Sequence, residues 1–173
     1  MKKVMVIICS ILVLGLVGCG PAPTGVKVQS TVAPVVETTK PVEKTVFLLN
    51  EVVKTSNGAT IIISKLTKPK VGEYDSVKPG NEFVMVTVTI TNSGKDIIAY
   101  NPFDYKMQNS QGQILDGTYS SVNENTALGT GNLAIGGKVT GTLLFEQPKN
   151  DKALTLVYTG NMFSAEGITF KLN

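Results

Sequence analysis

The chain has 173 residues, a formal net charge of +3, and neither histidine nor tryptophan. All sixteen basic residues are lysine and two of them precede residue 4, so the rest carries fourteen lysines against thirteen acids. That balance excludes the clustered Lys/Arg surface of a nucleic-acid binder. The missing histidine excludes Ser-His-Asp and Cys-His nucleophiles and His/Cys zinc sites, leaving carboxylate pairs and Ser-Lys dyads as the available catalytic chemistry.

Met1-Lys2-Lys3 is a cationic start, and Val4 to Val17 is almost wholly apolar. A membrane-crossing helix needs about 20 apolar residues. This run ends sooner, at Gly18-Cys19-Gly20-Pro21, and has the length and flanks of a secretory signal. Leu16-Val17-Gly18 fits an A-x-A-like cleavage site poorly. Leu16-Val17-Gly18-Cys19 resembles the bacterial lipobox, in which the cysteine sulfur receives a diacylglyceryl group and cleavage makes that cysteine the first residue. The residue types suit the chemistry, since a thiol is nucleophilic enough for the alkylation and small Gly18 lets the processing enzyme close around the bond. The expectation is a lipoprotein signal peptide over 1–18 and lipidation at Cys19, with a secreted soluble form and an uncleaved anchor as alternatives. Cys9 leaves with the signal, so no thiol remains to pair. Two acyl chains anchor stably where one does not. The expected partner is therefore the membrane, through Cys19, on the extracytoplasmic face.

Residues 19–45 hold four of the eight prolines and many threonines, valines and lysines, without sustained periodicity. Such a segment cannot build a core and is expected to be a disordered tether. Its reach is about 80 Å at most, at ~3.1 Å per residue.

From residue 46 to 173 the pattern is that of strands. VFLLNEVV (46–53) and ATIIISKL (59–66) flank Asn57-Gly58, a strong hairpin signal. Glu82 to Thr91 alternates with period two: Val84, Val86, Val88 and Ile90 share one face, and Met85, Thr87, Thr89 and Thr91 the other. Ile97–Tyr100, Tyr105–Gln108, Gln113–Leu115, Lys138–Glu146, Leu154–Tyr158 and Ile168–Leu172 follow. No sustained helical stripe appears after Pro41. Short strands joined by polar turns predict an all-β fold, an antiparallel β-sandwich.

Gly129-Thr-Gly131-Asn-Leu-Ala134 satisfies G-x-G-x-x-A, but a nucleotide site needs a helix after it. Gly136-Gly137 and a strand follow instead, so a glycine loop is expected. Asp104, Asp116 and Glu124 lack the spacing of a calcium loop. Tyr100, Phe103, Tyr105 and Tyr119 form a cluster in sequence, readable as a binding platform or as core. Two long loops, Lys68 to Asn81 and Gly117 to Gly137, are the candidate working surface.

Asn81-Glu82-Phe83-Val84-x-Val86-x-Val88-x-Ile90-x-Asn92-x-Gly94 is similar to the central signature of a bacterial family known as domain of unknown function 4352. Phe103-x-Tyr105-x-Met107 fits its middle. Gly136-Gly137-Lys138-Val139-x-Gly141-x-Leu143-x-Phe145-Glu146-x-Pro148 fits its later signature, with Ile135-Gly136-Gly137 where the family usually has Pro-Gly. The resemblance spans roughly residues 46–172 and implies an immunoglobulin-like sandwich on a small surface lipoprotein. It carries no catalytic residues, no cofactor and no metal ligands to this chain. The expected function is non-enzymatic binding of a protein or cell-envelope component. Small-molecule or ion capture is the alternative, and an envelope enzyme using carboxylates or a Ser-Lys pair comes after it.

Overall fold

The structure, a computed structural model, describes residues 45–160 and 167–173. The expected signal peptide (1–18), Cys19 and all but the last residue of the expected tether (19–45) lie outside the described residues. Within them are eleven strands and two short 3-10 turns.

The strands are β1 (Val46–Leu48), β2 (Val52–Lys54), β3 (Ala59–Thr67), β4 (Asn81–Asn92), β5 (Ile98–Tyr100), β6 (Tyr105–Gln108), β7 (Ile114–Asp116), β8 (Gly131–Leu133), β9 (Lys138–Pro148), β10 (Thr155–Tyr158) and β11 (Ile168–Lys171). One sheet runs β2-β3-β4-β9 and the other β1-β11-β10-β6-β7, with β5 and β8 forming a separate pair. In the immunoglobulin arrangement strands A, B, E and D make one sheet and C, F and G the other. Here β3, β4 and β9 stand in the places of A, B and E, and β6, β10 and β11 in those of C, F and G. Strand D has no counterpart among the described residues.

The all-β sandwich is the one expected; one strand assignment needs correction. Residues 46–53 are not one strand: the chain turns at Leu49-Asn50 and passes from the β11 edge of one sheet to the β3 edge of the other. Asn50, with φ of 66°, takes the left-handed conformation the turn needs, which asparagine tolerates better than most residues. The strand pairs are antiparallel as expected, apart from β1, which that crossing lays parallel to β11. The Asn57-Gly58 hairpin joins β2 to β3 as expected, with Gly58 at φ 86°.

The core follows the period-two pattern. Val84, Val86, Val88 and Ile90 are buried, while Met85, Thr87, Thr89 and Thr91 on the other face are half-exposed. Outer threonines bond across strands, Thr89 to Thr140 at 3.0 Å. From the opposing sheet come Met107, Leu156 and Phe170, all fully buried. Antibody domains put a tryptophan and a disulfide at the centre of this space. Here the largest fully buried side chain is Tyr105 of β6, its ring centroid 4.9 Å from that of Tyr158 on β10.

Candidate functional site

The two long loops come together. Asp75 of the first accepts hydrogen bonds from the Ser121 hydroxyl (2.7 Å) and backbone N–H (3.2 Å) of the second. The hydroxyls of Ser121 and Ser120, in that order, lead the contacts that hold the Asp75 carboxyl below its ordinary range. Glu146 of β9 ties down the rest of the first loop, accepting from the Lys78 N–H at 3.0 Å and the Asn81 amide at 2.7 Å.

The second loop is more ordered than its composition predicts. Its first half runs along the free edge of β9. Thr118 N–H donates to the Leu144 carbonyl (2.8 Å), Thr142 N–H to the Thr126 carbonyl (2.8 Å), and Leu128 N–H to the Thr142 carbonyl (2.9 Å). Ser120 caps a 3-10 turn at Ser121–Asn123, its hydroxyl accepting from the Val122 N–H. Gly141 makes the close approach possible, because a Cβ there would lie 2.7 Å from the Leu128 Cα. The loop thus replaces the missing strand and covers an edge that would otherwise invite pairing.

Between this loop, β9 and the 3-10 turn Pro102–Asp104 lies a groove of about 40 Å³. Its walls include Leu128, Leu143 and Leu144, and its rim Phe103 and Tyr119. Those two rings meet edge to face, centroids 6.4 Å apart, and both are exposed. A water needs some 10–15 Å³ of such space, so the groove holds a few waters or the tip of one side chain.

The four aromatics expected as a cluster therefore divide. Phe103 and Tyr119 form the rim, whereas Tyr105 is core, and burial, then Tyr158 and Asp104, push its phenol well above the usual range. Tyr100 lies over Gly131, where a Cβ would sit 2.7 Å from the tyrosine oxygen. The glycine of the G-x-G-x-x-A string is thus a strand residue of β8 under an aromatic ring. The acids also scatter. Asp116 pairs with Lys106 at 2.8 Å, Asp104 is half-buried with its carboxyl pushed up by that burial, and Glu124 is exposed. Among the described residues no three acids, histidines or cysteines gather as a metal site would require. Sequence reasoning missed Ser120, Ser121 and Asp75 as the clasp between the loops; a serine pair opposite an aspartate 45 residues away carries no local signal.

The sequence profile of a family described as "Domain of unknown function (DUF4352)" matches residues 47–168. The chain belongs to this family. It is 30% identical over 116 residues to YjhA of Bacillus subtilis, an uncharacterised lipoprotein, covering 60% of this chain and 54% of that protein. The chain thus spans about half the length of the curated relative it matches. The crystal structure of the B. subtilis yjhA protein aligns with a TM-score of 0.59 at 24% identity, over 73% of this chain and 99% of that one. That of MPT63, a secreted protein of Mycobacterium tuberculosis, aligns with a TM-score of 0.55 at 12% identity, over 74% and 95%. At these identities the likeness establishes the β-sandwich and transfers no site.

Proposed function

We propose that this family member is a lipoprotein held on the extracytoplasmic face of the membrane by a lipid on Cys19, and that its domain binds an envelope protein at the Phe103–Tyr119 groove. The observation that carries the binding assignment is the exposed aromatic pair standing over an apolar groove whose walls are fixed by backbone hydrogen bonds. Aromatic anchors beside a small, rigid pocket are the usual centres of interface energy. The groove admits one inserted side chain, which suits a protein partner better than a free small molecule. The name of the related lipoprotein and the Leu16-Val17-Gly18-Cys19 string support the anchor. The reading is non-enzymatic: Asp75, Asp116 and Asp151 are each engaged by hydroxyls, backbone N–H groups or a lysine.

Cross-linking on intact cells tests the reading. Phe103→Ala with Tyr119→Ala should remove most cross-linked product at matched abundance and unchanged Tm, as loss of an interface centre of ~2 kcal/mol or more would. Wild-type yield from the double variant would sink the groove assignment. Uptake of radioactive fatty acid by the Cys19→Ala protein would sink the anchor.

A further inference from the structure

One end of the sandwich exposes two isoleucines for which the fold gives no reason. Asn92, buried at the end of β4, donates its amide to the Asp96 carbonyl (2.8 Å) and the Leu133 carbonyl (2.9 Å), and accepts from the Gly94 N–H (3.0 Å). The turn 93–97 is thereby clamped beside the turn 134–137. The second closes tightly, Gly137 N–H donating to the Ala134 carbonyl at 2.8 Å with Gly136 at φ 77°. That geometry is a type II turn, which favours proline at its second position. Ile135 occupies that position and is 65% exposed, and Ile97 on the adjoining turn is 70% exposed.

Lysines surround the pair. Strand register sets Lys54, Thr60, Thr91 and Lys138 in one row across the outer face, and Lys95 stands on the turn between. The turns 56–58, 93–97 and 134–138, together with Lys54, carry these three lysines against a single acid, Asp96. The chain also joins the domain on this half. Ser110, beyond one end of β6, bonds Asp151 at the opposite end of the sandwich, so Tyr105, Tyr158, Ile168 and Thr45 fall on the Asn92 side.

We propose that this end docks against the anionic lipid surface to which the chain is attached, with Ile97 and Ile135 entering the headgroup layer and Lys54, Lys95 and Lys138 facing lipid phosphates. The proposal rests on the Cys19 anchor. Two apolar tips and three lysines make a weak contact for a free protein. Anchoring converts it into an intramolecular event at an effective concentration in the millimolar range, where a weak contact suffices. The wall of the groove formed by Thr142, Leu143 and Leu144 lies midway along β9, away from Lys138 at the start of that strand.

Because the chain lacks tryptophan, Ile97→Trp and Ile135→Trp are single reporters. Full-length lipidated protein is placed in phosphatidylglycerol or phosphatidylcholine vesicles carrying brominated acyl chains. Both reporters should emit to the blue and be quenched in the anionic vesicles and much less in the neutral ones. A Tyr119→Trp reporter should not be quenched, and Lys54→Glu with Lys95→Glu and Lys138→Glu should abolish quenching of the other two. Anchored protein whose reporters stay unquenched, or are quenched equally in both lipids, overturns the proposal. So does a blue shift that grows with protein density without quenching, which would mark a second copy as the occupant. Protein without the lipid mass, left in the supernatant, would remove the anchor itself and the docking with it.

Discussion

The two ends of the sandwich are finished differently. At the end where β4 begins, side chains close the structure. Glu82 accepts from Lys68 and from the Asn150 N–H at 2.8 Å. Asp151 accepts from the Ser110 N–H and hydroxyl and from the Ala153 N–H, and Asn173 bridges the Leu154 N–H and the Asp151 carbonyl. The exception is Gln147, fully buried with its amide unpartnered. At the other end one asparagine holds two turns from inside and their apolar tips stay uncovered. Polar satisfaction stabilises the domain at one end, whereas at the other it positions residues that contribute no burial of their own.

The largest effect separating the ends should come from Asn92→Ala. It strands two carbonyls and an N–H at a site that is 1% exposed. Buried polar groups left without partners cost about 1–3 kcal/mol each, and the turn carbonyls have partial access to water. A loss of about 3 kcal/mol in total, a fall in Tm of roughly 10 °C, is the expected result by thermal melting. A fall of only a degree or two would mean that the turns are held by something other than Asn92.

Acid should act on the ends with opposite sign. Burial raises the Asp151 carboxyl, but hydrogen bonds from Ala153 and Ser110 outweigh it and leave the group below its ordinary range. Burial likewise raises Glu82, and the Lys68 and Asn150 contacts outweigh it. Groups with a lowered folded pKa add stability above their unfolded values, about 3.9 and 4.3, and lose it as pH falls through the folded values. Asp104, toward the Asn92 end, is raised by burial. Its charged form is disfavoured by folding, so it destabilises at neutral pH and the penalty lifts as pH falls. Denaturation midpoints from neutral pH down to about 3 should therefore drop in the parent, drop less in Asp151→Asn, and start higher at neutral pH in Asp104→Asn. The same neutral-pH midpoint for Asp104→Asn and the parent would contradict the sign assigned to that end.

Much of this division was hidden in the sequence. The core was legible because Val84 to Ile90 alternate without a break, and period two is a local signal. The β1/β2 split was not, because Asn50-Glu51 reads as a polar step inside one otherwise apolar strand until one knows that β1 pairs with β11 more than 120 residues later. Phe103 and Tyr119 were named only as members of a four-aromatic cluster, and nothing nearby distinguished them from Tyr105, which is buried in the core. The loops were singled out as a surface, but the Asp75–Ser121 clasp depends on tertiary contact. Residues 1–44, with Cys19, are read from sequence alone.

The smallest effect is expected from Ile97→Ser with Ile135→Ser, and it is the sharpest test of the contrast. Large losses on truncating an isoleucine come from transfer out of a packed core and the cavity left behind. Neither applies to side chains that are 70% and 65% exposed. Ile135 occupies a turn corner where serine is acceptable, and the clamp from Asn92 uses backbone carbonyls that the substitutions leave in place. Surface changes of this kind stay within about 0.5 kcal/mol, so the melting curve should overlay that of the parent. A loss of several degrees would show that the isoleucines pack within the folded domain, and the distinction between a closed end and a presenting end would fail. An unchanged melt leaves their exposure without a role in stability, so what the two tips contribute must be sought in contacts outside the domain.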